Sequence, residues 1–183
     1  GGVEVLGYDA RKSERFKHRL GLVTQEKSLF QDLRAAENLD FLTALKNASR
    51  ENCYRVIERF QLTDYLKLPV TALEAGVYQR LALACALLNE PELLLGDDLF
   101  QSIDPASRHI ILRELREYLA CGGTCILSFN NMDAYSKTDL YSIISRVGWL
   151  EQGRLTVYQP GEAREQWEDR LKSFAEQSGE LHA

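Results

Sequence analysis

The stretch "PELLLGDD" (91–98) constrains the fold more than any other in the chain. Leu93, Leu94 and Leu95 form an unbroken apolar run that closes on Gly96 and then on two adjacent acids, Asp97 and Asp98. A run this short, bounded by a proline and by charges, reads as a buried strand of a parallel sheet covered on both faces. The flanking patterns agree. Upstream, "VYQRLALACALLNE" carries Leu81, Ala84, Cys85 and Leu88 as an apolar stripe and stops before Pro91. Downstream, "DPASRHIILRELREYLACGG" starts with Asp104 as cap and Pro105 in the first turn, and stops at Gly122-Gly123. "TCILS" (124–128) is a second buried strand. Strands alternating with helices through residues 92–150 require right-handed crossovers and parallel pairing. Ligands of such sheets sit off the carboxyl ends of the strands. Gln25, Asp97-Asp98 and Phe129-Asn130-Asn131 each follow a strand, so all are expected on one rim.

The remaining pattern is mixed. "VEVLG" (3–7) reads as an edge strand, "DARKSERFKHRL" (9–20) as a short polar helix, and "GLVTQ" (21–25) as a strand running into a loop. From Asp32 to about Leu68 the spacing is helical, with Leu33, Ala36, Leu39, Leu42 and Leu45 on one face and Tyr54, Ile57, Phe60 and Leu62 on a second. Phe41, Tyr54 and Phe60 are expected in the core. Ser49 precedes the second helix, but Asn52 stands where a capping box has Glu or Gln. "YSIISRVGWLEQGRLTVYQ" gives two strands around a Gln-Gly turn, and the tail from Gly161 is a charged amphipathic helix.

A chain of 183 residues is long enough for a domain with a sizeable core. With 45% hydrophobic and 27% charged residues it falls in neither the disordered nor the fibrous class. The net charge of -5 argues against nucleic acid held on a broad basic face. No apolar stretch approaches the roughly 18–20 residues of a spanning helix, and no signal peptide is visible. Cys53, Cys85, Cys121 and Cys125 lack zinc-ligand spacing, and a reducing, cytoplasmic setting fits them. His18, His109 and His182 are single and sit on polar stretches, which gives none a catalytic setting. The one methionine is Met132, which leaves open that the chain starts inside a longer polypeptide.

Three ordered segments, "GLVTQEKSLFQDLRAAENLDF", "LEAGVYQRLALACALLNEPELLLGDD" and "IDPASR", resemble the ATP-binding cassette (ABC) ATPases. The likeness spans roughly residues 1–160 and, with the "VLGYD" opening, is greatest to the exporter-type subfamily. It implies an α/β fold with a P-loop NTPase-like parallel sheet core, truncated at its N-terminus, and an inserted α-helical subdomain. The implied division is 1–31 for core strands and Q-loop, 32–76 for the helical subdomain, 77–160 for the α/β core with Walker B-like and switch regions, and 161–183 for a C-terminal helix. By the same resemblance Gln25 is the Q-loop glutamine, Asp97 the Walker B ligand of Mg2+, Asp98 the catalytic base, Asn130 the switch residue and Asp104 the D-loop aspartate. Glu74 and Gly76 belong to the signature that meets ATP across a homo- or heterodimer. A membrane permease subunit is the implied partner, and the chain is placed in the cytoplasm, peripheral to the membrane.

The departures from the family pattern are specific. The loop G-x-x-x-x-G-K-[S/T], which supplies the glycine nest and the lysine at the phosphates, occurs nowhere in these residues; in the family it lies upstream of the point corresponding to Gly1. The signature "LSGGQ" is "LEAGV" (73–77), so Glu74 sets a carboxylate against a phosphate and Ala75 adds a methyl where backbone approaches closely. Asp98 is one methylene shorter than the usual Glu, Leu99 replaces a proline, and Asn130 replaces a histidine, able to hydrogen-bond but not to carry a proton or positive charge to the phosphate. Gly96 stands in place of a bulky residue and is expected to loosen the strand. Two functions are therefore expected. One is a degenerate ATP-binding subunit of an ABC transporter, weak or inactive in hydrolysis. The alternative is a non-enzymatic regulatory or binding module that keeps the fold without nucleotide.

Overall fold

The computed structural model describes residues 1–129 and 139–179, and for 173–179 the backbone alone. The chain forms two compact units, Gly1–Phe129 and Asn130–Ala183.

The first unit opens with β1 (Glu4–Val5) and β2 (Tyr8–Asp9), an antiparallel pair joined through Leu6 and Gly7, both at positive φ. The polar helix expected over 9–20 does not form; only Lys17–Arg19 makes one 3-10 turn. Asp9 explains the difference. Its Oδ1 accepts the Arg11 amide at 2.9 Å and its carbonyl accepts Lys12 and Ser13, an Asx-type turn that competes with helix.

β3 (Leu20–Val23), β4 (Leu93–Asp97) and β5 (Thr124–Ser128) form the expected parallel sheet, in that order. Between β3 and β4 lie α1 (Ala35–Leu45), α2 (Arg50–Arg59) and α3 (Ala75–Leu87); α4 (Pro105–Ala120) joins β4 to β5. α3 packs on β3 and on α1, α2 and α4, and ten of its thirteen residues are buried. Ser49 caps α2 by accepting the Asn52 amide. Gly122, at φ 92, ends α4.

One sheet face is covered more completely than the other. Gly21, Val23, Leu94 and Gly96 are buried, whereas Leu22 and Ile126, in register with Leu95 on the opposite face, are 53% and 59% exposed. Gly96 does not loosen the strand either, because the Leu127 and Leu99 side chains fill the space a Cβ would take.

The inward face of α1 differs from the leucine stripe expected. Ala35, Asn38, Leu39 and Thr43 are buried, and Leu45 and Phe41 are exposed. Asn38 turns the helix this way: its Oδ1 accepts the Phe30 amide and its Nδ2 donates to the Phe30 and Arg34 carbonyls. A buried amide so satisfied costs little. Phe60 is core, but Tyr54 is 68% exposed. α2 is tied to α3 and α4 by polar contacts. Arg80, buried in α3, donates to the Phe60 and Gln61 carbonyls, and the buried Glu114 accepts from Arg59 and Arg113.

The second unit contains β6 (Val147–Glu151), β7 (Arg154–Tyr158) and α5 (Pro160–Gly179). β6 pairs antiparallel with β7 across Gln152-Gly153, as their two positive φ values favour, and does not extend the parallel run expected through residue 150. Trp149 meets Trp167, and Arg170 lies 4.5 Å over the Trp149 ring while pairing with Glu151.

Candidate functional site

The register brings three chain exits to one edge. Val23 pairs with Gly96 and Asp97 with Ser128, so the segments carrying Gln25, Asp98 and Phe129 leave the sheet side by side. Asp97 ends β4 with its side chain exposed, and the Ser128 hydroxyl donates to its Oδ1. Ser128 was not singled out by the sequence, and only the register of the folded sheet sets it opposite Asp97. The next carboxylate, beyond the end of the strand, is not exposed in this way. Asp98 is only 7% exposed, at φ 50, a left-handed conformation that Asp tolerates. Its amide meets the Ser128 carbonyl at 3.3 Å and its carbonyl accepts Gln101. Leu99 and Phe100 then enter the core, where Phe100 stacks on Phe129 at 6.3 Å. The two loops are thereby pinned together. Gln25 is exposed on the third exit, and Asn130 lies outside the described residues.

The second group forms where α3 and α4 begin. Glu74 is the residue before α3, extended at φ -62 and ψ 154, and its exposed side chain makes no cap. A carboxylate therefore stands where the helix N-terminus attracts anions. Asp104 caps α4 by accepting the Ser107 amide at 2.8 Å. Hydrogen bonds from the Ser107 hydroxyl and amide hold the Asp104 carboxyl below its ordinary range. Gly76 is packed against this cap, with no room for a Cβ between it and Asp104 or Ser107. Gly76 and Asp104, far apart in sequence, thus meet. Ala75 is exposed.

The donor set at the rim is all oxygen: the Asp97 carboxylate, the Ser128 hydroxyl and the Gln25 amide. That fits a hard cation such as Mg2+, which takes one or two carboxylates beside phosphates and water. Among the described residues no group of three or more His, Cys, Asp or Glu converges as a self-sufficient metal cage. A cleft of about 410 Å³, lined by Val56, Phe60, Pro91 and Tyr118, lies instead near the amino ends of β4 and β5. No helix among the described residues is long and apolar enough to cross a membrane.

Comparison with known proteins fits this geometry. The chain is 31% identical over 162 residues to the Nod factor export ATP-binding protein I of Sinorhizobium fredii, covering 86% of this chain and 46% of that protein. It is 28% identical over 160 residues to the linearmycin resistance ATP-binding protein LnrL of Bacillus subtilis (85% and 50%). It is also 31% identical over 178 residues to the Fe(3+) ions import ATP-binding protein FbpC of Streptomyces coelicolor (95% and 49%). Exporters and importers are both similar, so the likeness is broader than the exporter subfamily. The chain spans about half the length of these curated relatives. In fold it matches the solved ATP binding subunit of an ABC transporter with TM-score 0.75 and 22% identity, over 91% of this chain and 70% of that one. It also matches a dimeric ATP-binding cassette bound to ADP and Pi, with TM-score 0.74 and 19% identity (87% and 73%). Residues 1–101, more than half of the 183, match the family model described as ABC transporter, and the chain belongs to the ATP-binding domains of that family.

Proposed function

We propose that the chain serves an ABC transporter as a degenerate ATP-binding component, holding ATP and Mg2+ at the sheet rim and hydrolysing ATP weakly or not at all. The observation that carries the reading is the Asp97 carboxylate, exposed at the end of β4 and oriented by the Ser128 hydroxyl. In this reading Asp97 holds the metal, with Gln25 beside it. Bound Mg2+ supplies charge neutralisation at the phosphates. Asp98 occupies the base position, where it is one methylene shorter than the usual Glu and is buried in a left-handed turn. A positioned base displaced by about 1 Å loses on the order of a hundredfold in rate. Asn130, at the switch position, can hydrogen-bond but cannot carry a proton or positive charge to a phosphate. Glu74 would repel a phosphate offered by a second ATP-binding domain of a homo- or heterodimer, and Gly76 and Asp104 keep α3 and α4 in close contact beside it.

The partners follow from the family. Phe30 and Phe41 stack edge-on at 4.9 Å, both nearly half exposed, beside the Gln25 loop. This surface suits docking on a membrane permease, and the protein would then be cytoplasmic and peripheral to the membrane. The division into 1–31, 32–76, 77–160 and 161–183 belongs to the same reading, with 32–76 as the docking lobe.

A second reading, a regulatory module that keeps the fold without nucleotide, is favoured by the burial of Asp98. Thermal unfolding with and without Mg2+-ATP separates the two, because a ligand of the native state raises Tm once its concentration exceeds Kd. A Tm rise that needs both ATP and Mg2+, with little phosphate release, supports the first reading. No rise at millimolar Mg2+-ATP supports the second.

A further inference from the structure

The loop that carries Gln25 is anchored at both ends. Its start is fixed at Val23 by pairing with β4. Its far end is fixed at Leu29, whose amide donates to the Tyr78 hydroxyl at 3.1 Å; both residues are 6% exposed. Lys27, between them, places its ammonium 5.4 Å over the Tyr78 ring. Phe30, the next residue, is held separately by Asn38. Tyr78 itself sits in the first turn of α3, its amide bonded to the Glu74 carbonyl at 2.9 Å. A continuous path therefore runs from Glu74 through Tyr78 to Leu29, and Gln25 lies on the short span between Leu29 and the sheet.

We propose that Tyr78 is a positioning residue that couples the first turn of α3 to the Gln25 loop through the hydrogen bond from the Leu29 amide to its hydroxyl. This inference rests on the nucleotide reading above and adds its regulation: an event at the α3 N-terminus, where Glu74 stands, is passed to Gln25. A short path through one buried hydrogen bond transmits displacement because neither group has water to turn to. Without the hydroxyl the Leu29 amide is left buried and unpaired, and the loop end must move to find a partner. The ring alone cannot do this, since Phe fills the same space without accepting.

Hydrogen exchange of the whole chain, read at single amides, tests the coupling. Tyr78→Phe is expected to speed exchange at Leu29 by roughly five- to tenfold, the worth of one net hydrogen bond, with Phe30 and the amides of α3 unchanged. Glu74→Ser, which gives α3 a capping hydroxyl, is expected to change exchange across Gln25–Leu29 in the Tyr78 protein and not in the Tyr78→Phe protein. The inference is overturned if Leu29 keeps its protection in Tyr78→Phe, or if Phe30 and α3 loosen equally, which marks a merely structural ring. It is overturned too if Glu74→Ser leaves Gln25–Leu29 unchanged, or acts equally in both proteins. Should Tyr78→Phe fail to fold, the Leu29 amide in Glu74→Ser decides the point: changed exchange there supports the path through the Tyr78 hydroxyl, and unchanged exchange there overturns it. Mg2+-ATP is the probe for the underlying reading: absence of any Tm rise in the wild type sinks that reading without altering what exchange says of Tyr78.

Discussion

Gly76 and Asp104 touch where α3 and α4 begin: a Cβ on Gly76 would overlap Asp104 Oδ2 and lie 2.7 Å from the Ser107 Cβ. The contact fixes the spacing of two helix N-termini that frame one side of the candidate site. Asp104 is committed to the Ser107 amide and hydroxyl, so it cannot swing aside without uncapping α4. Gly76→Ala is accordingly expected to destabilise the chain by about 1–3 kcal/mol, despite the roughly 1 kcal/mol that Ala gains over Gly in a helix. Urea unfolding at pH 7 checks it, and a variant as stable as the wild type would show that the junction yields freely.

Gly96→Ala is the contrasting case. Its Cβ would lie 2.8 Å from Leu127 Cδ2, the far end of a flexible, half-buried side chain, with Leu99 at an ordinary 3.7 Å. Leu127 can shift its tip, so a loss of no more than about 1 kcal/mol is expected in the same experiment. A larger loss than that of Gly76→Ala would reverse this ranking of the two glycines.

Asp104 makes stability depend on pH in a defined direction. Its folded value is lowered from the 3.8 of an unperturbed carboxyl, first by the Ser107 hydroxyl and amide. The unfolded chain therefore binds this proton more tightly, and the contribution is complete above 3.8 and lost as pH falls through the folded value. The carboxylate is exposed, so the charge part is small and the cap part dominates. Asp104→Ala is expected to cost about 1 kcal/mol at pH 7 and less below 3.8, whereas Asp104→Asn keeps most of the cap and varies little with pH. A gap between wild type and Asp104→Ala that widens on acidification would contradict the assignment.

Residues whose neighbours are local were legible in the sequence. The apolar run into Asp97, the Asp104 cap, the Gly122 stop and the Gln152-Gly153 turn each depend on a few adjacent residues, and each forms as expected. The expectation for residues 9–20 failed because a single side chain, Asp9, satisfies the backbone in a turn before a helix can start. The orientation of α1 was hidden for another reason: the leucine spacing fits more than one face, and Asn38 selects among them through a loop eight residues away. The contacts Ser128–Asp97, Gly76–Asp104 and Leu29–Tyr78 join distant segments. Their residue types admit such contacts, but only the folded sheet and helices bring the pairs together.

The four thiols are expected to differ sharply in reactivity. Cys121 is exposed in the turn after α4, Cys53 and Cys85 are buried, and Cys125 is half-buried in β5. Burial pushes the Cys85 and Cys125 thiols up to about 12, so neither forms appreciable thiolate near neutrality. Iodoacetamide at pH 8 should therefore modify Cys121 alone in the native chain, and all four in urea, as peptide masses would show. Rapid native labelling at Cys125 would mean that β5 is open at the edge of the sheet.

The relationship between Asp97 and Ser128 allows the nucleotide reading to be tested at the residue that carries it. A carboxylate that binds Mg2+ through one oxygen gains from a donor that fixes the other and holds the rotamer. If Asp97 plays this part, Asp97→Asn abolishes the Mg2+-dependent share of any Tm rise with ATP. Ser128→Ala, which removes only the orienting hydroxyl, should weaken the metal by about ten- to a hundredfold, visible as a shift of the Mg2+ titration to higher concentration. Apart from the metal, both variants should unfold close to the wild type, since Asp97 and Ser128 are exposed and together supply one surface hydrogen bond. The pair of variants distinguishes a metal ligand from an ornament of the strand end. A Mg2+ titration unmoved by Ser128→Ala but lost in Asp97→Asn leaves Asp97 as ligand and removes the hydroxyl's role; one unmoved by either variant removes Asp97 itself from the site.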